Sequence, residues 1–153
     1  MTNRRALLVV ALFALHSSSC ARSESTANDV PRVERPVAHV LSSGVGAIYL
    51  SIVNGIGNDV LKSVESPDAA DAQLHELVMR GDLSTMSPAS EGFFVAAQST
   101  LVLEHGGKHI MLFGVRNPNT ADHLQLRLNF ERAGVVAISV PIQRGVELSR
   151  ASQ

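Results

Sequence analysis

Four side chains in one segment carry soft metal-binding chemistry: His75, Met86, His109 and Met111. Ten residues separate His75 from Met86, and twenty-two separate Met86 from the run His109-Ile110-Met111. Imidazole is a borderline ligand and thioether a soft one. A donor set that mixes them without a carboxylate favours a soft ion of low charge, Cu(I), over zinc, calcium or magnesium. Cu(II) prefers tetragonal nitrogen and oxygen donors, of which this set holds only the two imidazoles, so the reduced ion is the expected one.

Such a set needs elements that bring it together. The run from His109 to Val115 is apolar and follows Gly106-Gly107, which reads as a strand leaving a tight turn. Residues i and i+2 of a strand face one side with Cα atoms about 6.5–7 Å apart, so His109 and Met111 form a convergent pair while Ile110 points into a core. Ala72–Val78 could be helix by propensity, but its β-branched, turn-rich context favours a strand. Gly81-Asp82 then reads as a hairpin turn before Leu83–Met86, which puts His75 and Met86 on opposite arms of one hairpin. Ligands near the surface are expected to contribute little to the core.

The remaining chain is a series of short strand signals. In Val45–Val53, Ile48, Leu50 and Ile52 alternate with Ala47, Tyr49 and Ser51 up to Asn54-Gly55. Asp59–Ser66, Gly92–Ala97 and Thr100–Leu103 are further short runs. Leu124, Leu126, Leu128 and Phe130 alternate with polar residues, and Gly134 introduces Val135–Val140, a closing hairpin. Strands separated by turn signals every eight to twelve residues, with no amphipathic helix, predict an all-β antiparallel sandwich or small barrel.

The N-terminal end is of a different kind. Two arginines precede the apolar run Ala6–Leu15, too short to span a bilayer, so residues 1–21 read as an export signal. Ser19 and Ala21 suit ordinary cleavage. Ser17-Ser18-Ser19-Cys20 also resembles a lipoprotein box, although Ser17 stands where Leu is usual, so lipidation of Cys20 stays an open alternative. Residues 22–38, polar and carrying Pro31 and Pro36, are expected to be a flexible tether; 39–145 the folded domain; and 146–153 a tail.

Composition removes several functions. The chain has 13 basic and 14 acidic residues with no run of either sign, and no Trp, so a nucleic-acid partner is not expected. Its one cysteine, Cys20, lies in the export segment, which leaves no disulfide or Cys-x-x-Cys pair for the domain and no His₂Cys set for blue copper. There is no Gly-x-Ser-x-Gly elbow and no His-Glu-x-x-His helix, and the chain is not expected to be an enzyme.

His75, the ten-residue interval, Met86 and His109-Ile110-Met111 together resemble the copper-ligand signature of the PCu(A)C family of periplasmic copper chaperones. The surroundings are similar too: Gly46-Ala47-Ile48-Tyr49-Leu50 leading to Asn54, His75-Glu76-Leu77-Val78-Met79, and Gly106-Gly107-Lys108 before His109. The resemblance covers about Val40 to Ile142. It departs from the family in a second interval longer by one residue, in His105 where Pro is frequent, and in Lys108 where an aromatic or aliphatic residue is common. The resemblance implies a cupredoxin-like Greek-key sandwich that binds one Cu(I) through His75, Met86, His109 and Met111. It also implies delivery to a copper-accepting assembly protein or a cytochrome oxidase subunit. A monomer is expected, periplasmic or, through the lipoprotein-like box, membrane-anchored at Cys20 facing the periplasm. Periplasmic copper storage or resistance would use the same site, and a metal-free envelope interaction module is the rival outside copper chemistry. His105 is expected to be a solvated loop residue, with a secondary His-containing Cu(II) site as its alternative. Met79, about 13 Å along the strand from His75, is expected in the core; Glu76 is expected to face away from His75; and His39 and His123 are expected to flank turns.

Overall fold

The computed structural model describes residues 30–80, without the side chain of Arg80, and 83–144. The export signal with Cys20, the Gly81-Asp82 turn and the tail lie outside the described residues. Among those described, every regular element is a strand: β1 Arg32–Val40, β2 Gly46–Val53, β3 Asp59–Glu65, β4 Asp71–Arg80, β5 Leu83–Pro88, β6 Phe93–Val95, β7 Thr100–Leu103, β8 His109–Phe113, β9 His123–Phe130 and β10 Gly134–Pro141.

Two antiparallel sheets stack as a sandwich. The larger has the order β1-β2-β8-β4-β5, with β7 also paired to β2, and the smaller has the order β10-β9-β3-β6. The chain crosses between sheets after β2, β3, β5, β6 and β8.

Alternation decides the packing. Ile48, Leu50 and Ile52 of β2, Ile110 and Leu112 of β8 and Leu74 of β4 project inward from the larger sheet. They meet Leu124, Leu126, Leu128 and Phe130 of β9, Leu61 and Val64 of β3, and Phe93 and Val95 of β6, all buried in one continuous core. Burying each such side chain contributes about 1.5–3 kcal/mol relative to leaving it exposed. Because that inner face is fixed by so many apolar residues, a one-residue slip of any strand would expose its whole set, and the register of the outer face is fixed along with it.

One expectation changes here. Residues 32–38 are strand rather than tether: β1 pairs with β2 from Arg32↔Val53 to Val40↔Gly46, interrupted by a bulge between Glu34 and Val37. The bulge absorbs Pro36, which cannot donate to a ladder, and the positive φ of Arg35 (50°). Gly106-Gly107 lies in the tight turn expected before β8, and the strands it joins do not pair with each other. β7 pairs with the end of β2 (Leu50↔Leu103) and β8 with its start (Ile48↔Ile110), both antiparallel to it, so β7 and β8 run on in one direction along the same edge. Residues 104–108 form a loop that leaves this line opposite Tyr49 and rejoins it. The loop is closed by Glu104 N–H donating to Lys108 O (2.7 Å) and by Gly107 N–H donating to Glu104 O (3.2 Å), and Gly106 takes its positive φ (79°) there.

Candidate metal centre on the outer face of the larger sheet

Strand pairing assembles the site. His75 lies directly opposite His109 on β4 and β8, and Gln73 lies opposite Met111. Met111 also pairs with Ala47 of β2. On the far side of β4, Leu77 pairs with Met86 of β5, and His75 with Pro88. Residues paired across a ladder share a face, as do residues two apart on one strand. His75, His109, Met111 and Met86 therefore all occupy the face opposite the core, and Met86 sits one diagonal step from His75.

The two imidazoles are the closest part of this set, with ring centroids 6.0 Å apart. A metal–nitrogen bond of about 2.0–2.1 Å puts an ion roughly 3 Å from the centroid of each ring that binds it, so this span suits one ion held between two rings. His109 is 2% exposed although it lies on the outer face, which corrects the expectation that the ligands contribute little burial. Tyr49 stands beside its ring at 6.4 Å, His75 covers it from β4, and the 104–108 loop lies next to it in sequence.

Each ring is oriented by a hydrogen bond. His109 Nδ1 is 2.9 Å from the carbonyl oxygen of Gly107, an acceptor only, so Nδ1 carries the hydrogen. That leaves Nε2 of His109 buried with no hydrogen-bond partner. Unpartnered buried polar atoms are rare and call for an explanation; a basic nitrogen fixed in one tautomer by a carbonyl behind it is the usual arrangement of a metal-ligating histidine. His75 Nε2 lies 2.9 Å from Gln73 Oε1, while Gln73 Nε2 donates to Asp71 Oδ2 at 2.6 Å. Asp71 thereby aims the Gln73 carbonyl at His75, so His75 Nε2 donates and Nδ1 is the free basic nitrogen. Burial, and then the like charge of His109, lower the pKa of His75 below the ordinary imidazole value of 6.5, which keeps it neutral and available to a metal.

Among the described residues no three His, Cys, Asp or Glu side chains cluster to hold an ion. Thioethers also lie on this face, with Asp71 and Gln73 engaged in the hydrogen-bond chain to His75. Met111 is half-buried beside His109, whereas Met86 on the edge strand is 51% exposed. The structure thus brings His75, His109 and Met111 together on adjoining strands and leaves Met86 on the neighbouring strand, on the same face.

On the inner side of the sheet, Glu76 accepts from Lys108 Nζ at 2.9 Å, and that ammonium sits 4.4 Å from the centre of the Phe93 ring. Glu76 and Lys108 adjoin His75 and His109 in sequence, so the pair ties the two histidine strands together from behind. The charge at 108 is thus a strap to the core rim, and Glu76 faces away from His75 as expected. His105 is exposed in the loop, its ring 6.3 Å from Tyr49. His39 corrects its expectation: it lies within β1, opposite Ala47 and 5.8 Å from the Tyr49 ring, on the site face. His123 opens β9. Met79 is not in the core; it is 63% exposed on the site face of β4. Sequence reasoning did not single out Gln73, Asp71 or Tyr49, and only their positions two residues from other site residues or opposite them could have suggested a role.

The comparisons agree with this fold. The profile of the family described as "Putative lipoprotein LpqE-like" matches residues 29–142. A relative from Leifsonia xyli subsp. xyli, "Putative lipoprotein Lxx21020", is 31% identical over 132 residues, covering 85% of this chain and 80% of that protein. Among solved structures, the copper-bound PCuAC domain from PmoF2 superposes with a TM-score of 0.60 at 22% identity, covering 77% of this chain and 96% of that one. The solution structure of CuI-DR1885 from Deinococcus radiodurans does so with a TM-score of 0.58 at 19% identity, covering 82% and 85%. The fold is the PCuAC sandwich.

Proposed function

The chain belongs to the LpqE-like family, and from that premise we propose that it is an extracytoplasmic carrier of copper rather than an enzyme. It binds one Cu(I) through His75, His109, Met111 and Met86 and passes the ion to a copper-accepting protein of the envelope. The carrying observation is the buried, unpartnered Nε2 of His109, on a ring 6.0 Å from a second imidazole and two residues from a thioether on the same strand face. Two imidazoles supply affinity, and uncharged sulfur donors stabilise the reduced ion. The likeness in fold to copper-bound domains supports the reading. The lipoprotein names of the family and its relative support an extracytoplasmic place, anchored through Cys20.

Hydrogen bonding leaves Nε2 of His109 and Nδ1 of His75 as the basic nitrogens for the ion. Met111 lies beside them on β8, and Met86 on the edge strand is the donor most easily exchanged for one from a recipient. Delivery to cytochrome oxidase assembly is the destination we favour, because a reduced ion held by neutral donors is in the form that a thiol-bearing acceptor takes up by ligand exchange. Anaerobic titration with Cu(I) against a Cu(I)-selective chelator tests the reading. One tightly bound ion is expected, with Cu(II) held more weakly in the parallel experiment. Absence of Cu(I) binding would overturn it, and preference for Cu(II) with Met86 and Met111 dispensable would replace it with a His-based site that includes His105.

A further inference from the structure

Only four methionines occur in the chain, and the three among the described residues, Met79, Met86 and Met111, all lie on one face of one sheet. Two of them are exposed where apolar side chains are otherwise mostly buried: Met79 at 63% and Met86 at 51%. Met86 pairs with Leu77 and Met79 with Ser84, so the two thioethers sit on adjacent strands one diagonal step apart, with Cα atoms about 7–8 Å from each other. Both side chains are unbranched with three rotatable bonds, which lets their sulfurs converge on a point between the strands. Met79 makes no contribution to the core that would account for a methionine there.

We propose that Met79 forms, with Met86, a second, weaker Cu(I) site on the β4–β5 hairpin that shares Met86 with the His75, His109 and Met111 centre, and through which the ion enters and leaves that centre. This rests on the copper reading above. Register supplies the reason. Met111 stands at the level of Gln73 on β4 and Met86 at the level of Leu77, four residues farther along. That separation is about 13 Å along the strand direction, so the two thioethers serve opposite ends of the face. Met86 lies between Met79 and His75 and can turn to either. Two neutral sulfurs hold a soft monovalent cation weakly, as a point of transfer requires, while the buried imidazole end holds it firmly. Transfer is a ligand exchange with no change in oxidation state: the copper–sulfur bond at Met79 breaks as a copper–nitrogen bond forms at His75, with Met86 holding the ion through the step.

The test is an anaerobic Cu(I) titration of the whole domain carrying ¹³C-methyl methionine, followed by NMR, with Cu(I) supplied from a chelator. The Met111 methyl is expected to shift with the first equivalent and the Met79 methyl with the second. Met79→Leu should leave the affinity of the tight site within about twofold, since it keeps volume and removes the sulfur, yet slow loading from the chelator severalfold. If the Met111 methyl shifts and the Met79 methyl stays in place through several equivalents, the second site is overturned and the copper reading stands. If no methyl shifts, the copper reading itself falls. Loading of Met79→Leu at the wild-type rate would also overturn the route.

Discussion

The outer face of the larger sheet has two halves that differ in how they are held. Around β2 and β8, the His109 ring is 2% exposed, fixed by a backbone carbonyl and flanked by Tyr49 and His75. On the β4–β5 hairpin, Met79, Leu83 and Met86 are exposed, and β5 forms the edge of the sheet. Both halves carry donor atoms on the same face. A preorganised nitrogen donor loses little freedom when it binds an ion, whereas an exposed methionine on an edge strand must be ordered to do so, which weakens it and makes it exchangeable. The contrast suits a protein that must hold an ion and also release it.

The largest effect should come from the face behind the site. Ile110→Ala empties a fully buried position between the two donors of β8 and should cost about 2–5 kcal/mol in denaturant unfolding of the apo protein. A loss below about 1 kcal/mol would mean that the inner face does not fix the outer one. Next comes His109→Ala. Loss of a mere outer partner of a metal ligand costs about 10–100-fold, so loss of the buried imidazole itself should weaken Cu(I) binding by more than about 100-fold in chelator competition. Met86→Ala should cost clearly less than His109→Ala; equal losses would erase the distinction between the halves.

Gln73→Ala should weaken Cu(I) binding by about tenfold, because it frees the His75 ring to rotate without removing a ligand. Unchanged affinity would show that the Asp71–Gln73 hydrogen-bond chain does not orient the ring. Acid should act through the same residue. His75 has a folded pKa lowered by burial and then by His109, so between that value and the unfolded value of 6.5 the unfolded chain binds more protons. Apo stability should therefore be full above 6.5, fall as pH drops below 6.5, and level off below the folded pKa. Stability that rises on acidification through this window, in unfolding curves from pH 8 to 5, would contradict the assignment. The smallest effect is expected for Glu76→Gln, which removes a half-exposed ion pair and should change apo stability by less than about 1 kcal/mol.

Much of this was legible because strand periodicity is local. The alternation in β2 and β9 gave both strands and their inward faces, and His109 and Met111 had to share a side once β8 was a strand. Gly134 marked the closing hairpin. The ligand types, by themselves, determined the softness of the expected ion, since that depends on the donor atoms and not on where they sit. Other features depend on pairing between distant segments. Whether Met79 is buried is set by which strand covers β4, and β5 leaves its outer face open. The strand at 32–38 exists because β2 offers an edge that a polar, proline-bearing segment can join through a bulge. The burial of His109, the continuation of β7 into β8 past a loop, and the opposition of His75 to His109 arise only when β8 is placed between β2 and β4. Residue types thus determined the donor atoms, while long-range hydrogen-bond ladders decided which of them are buried and fixed and which are exposed.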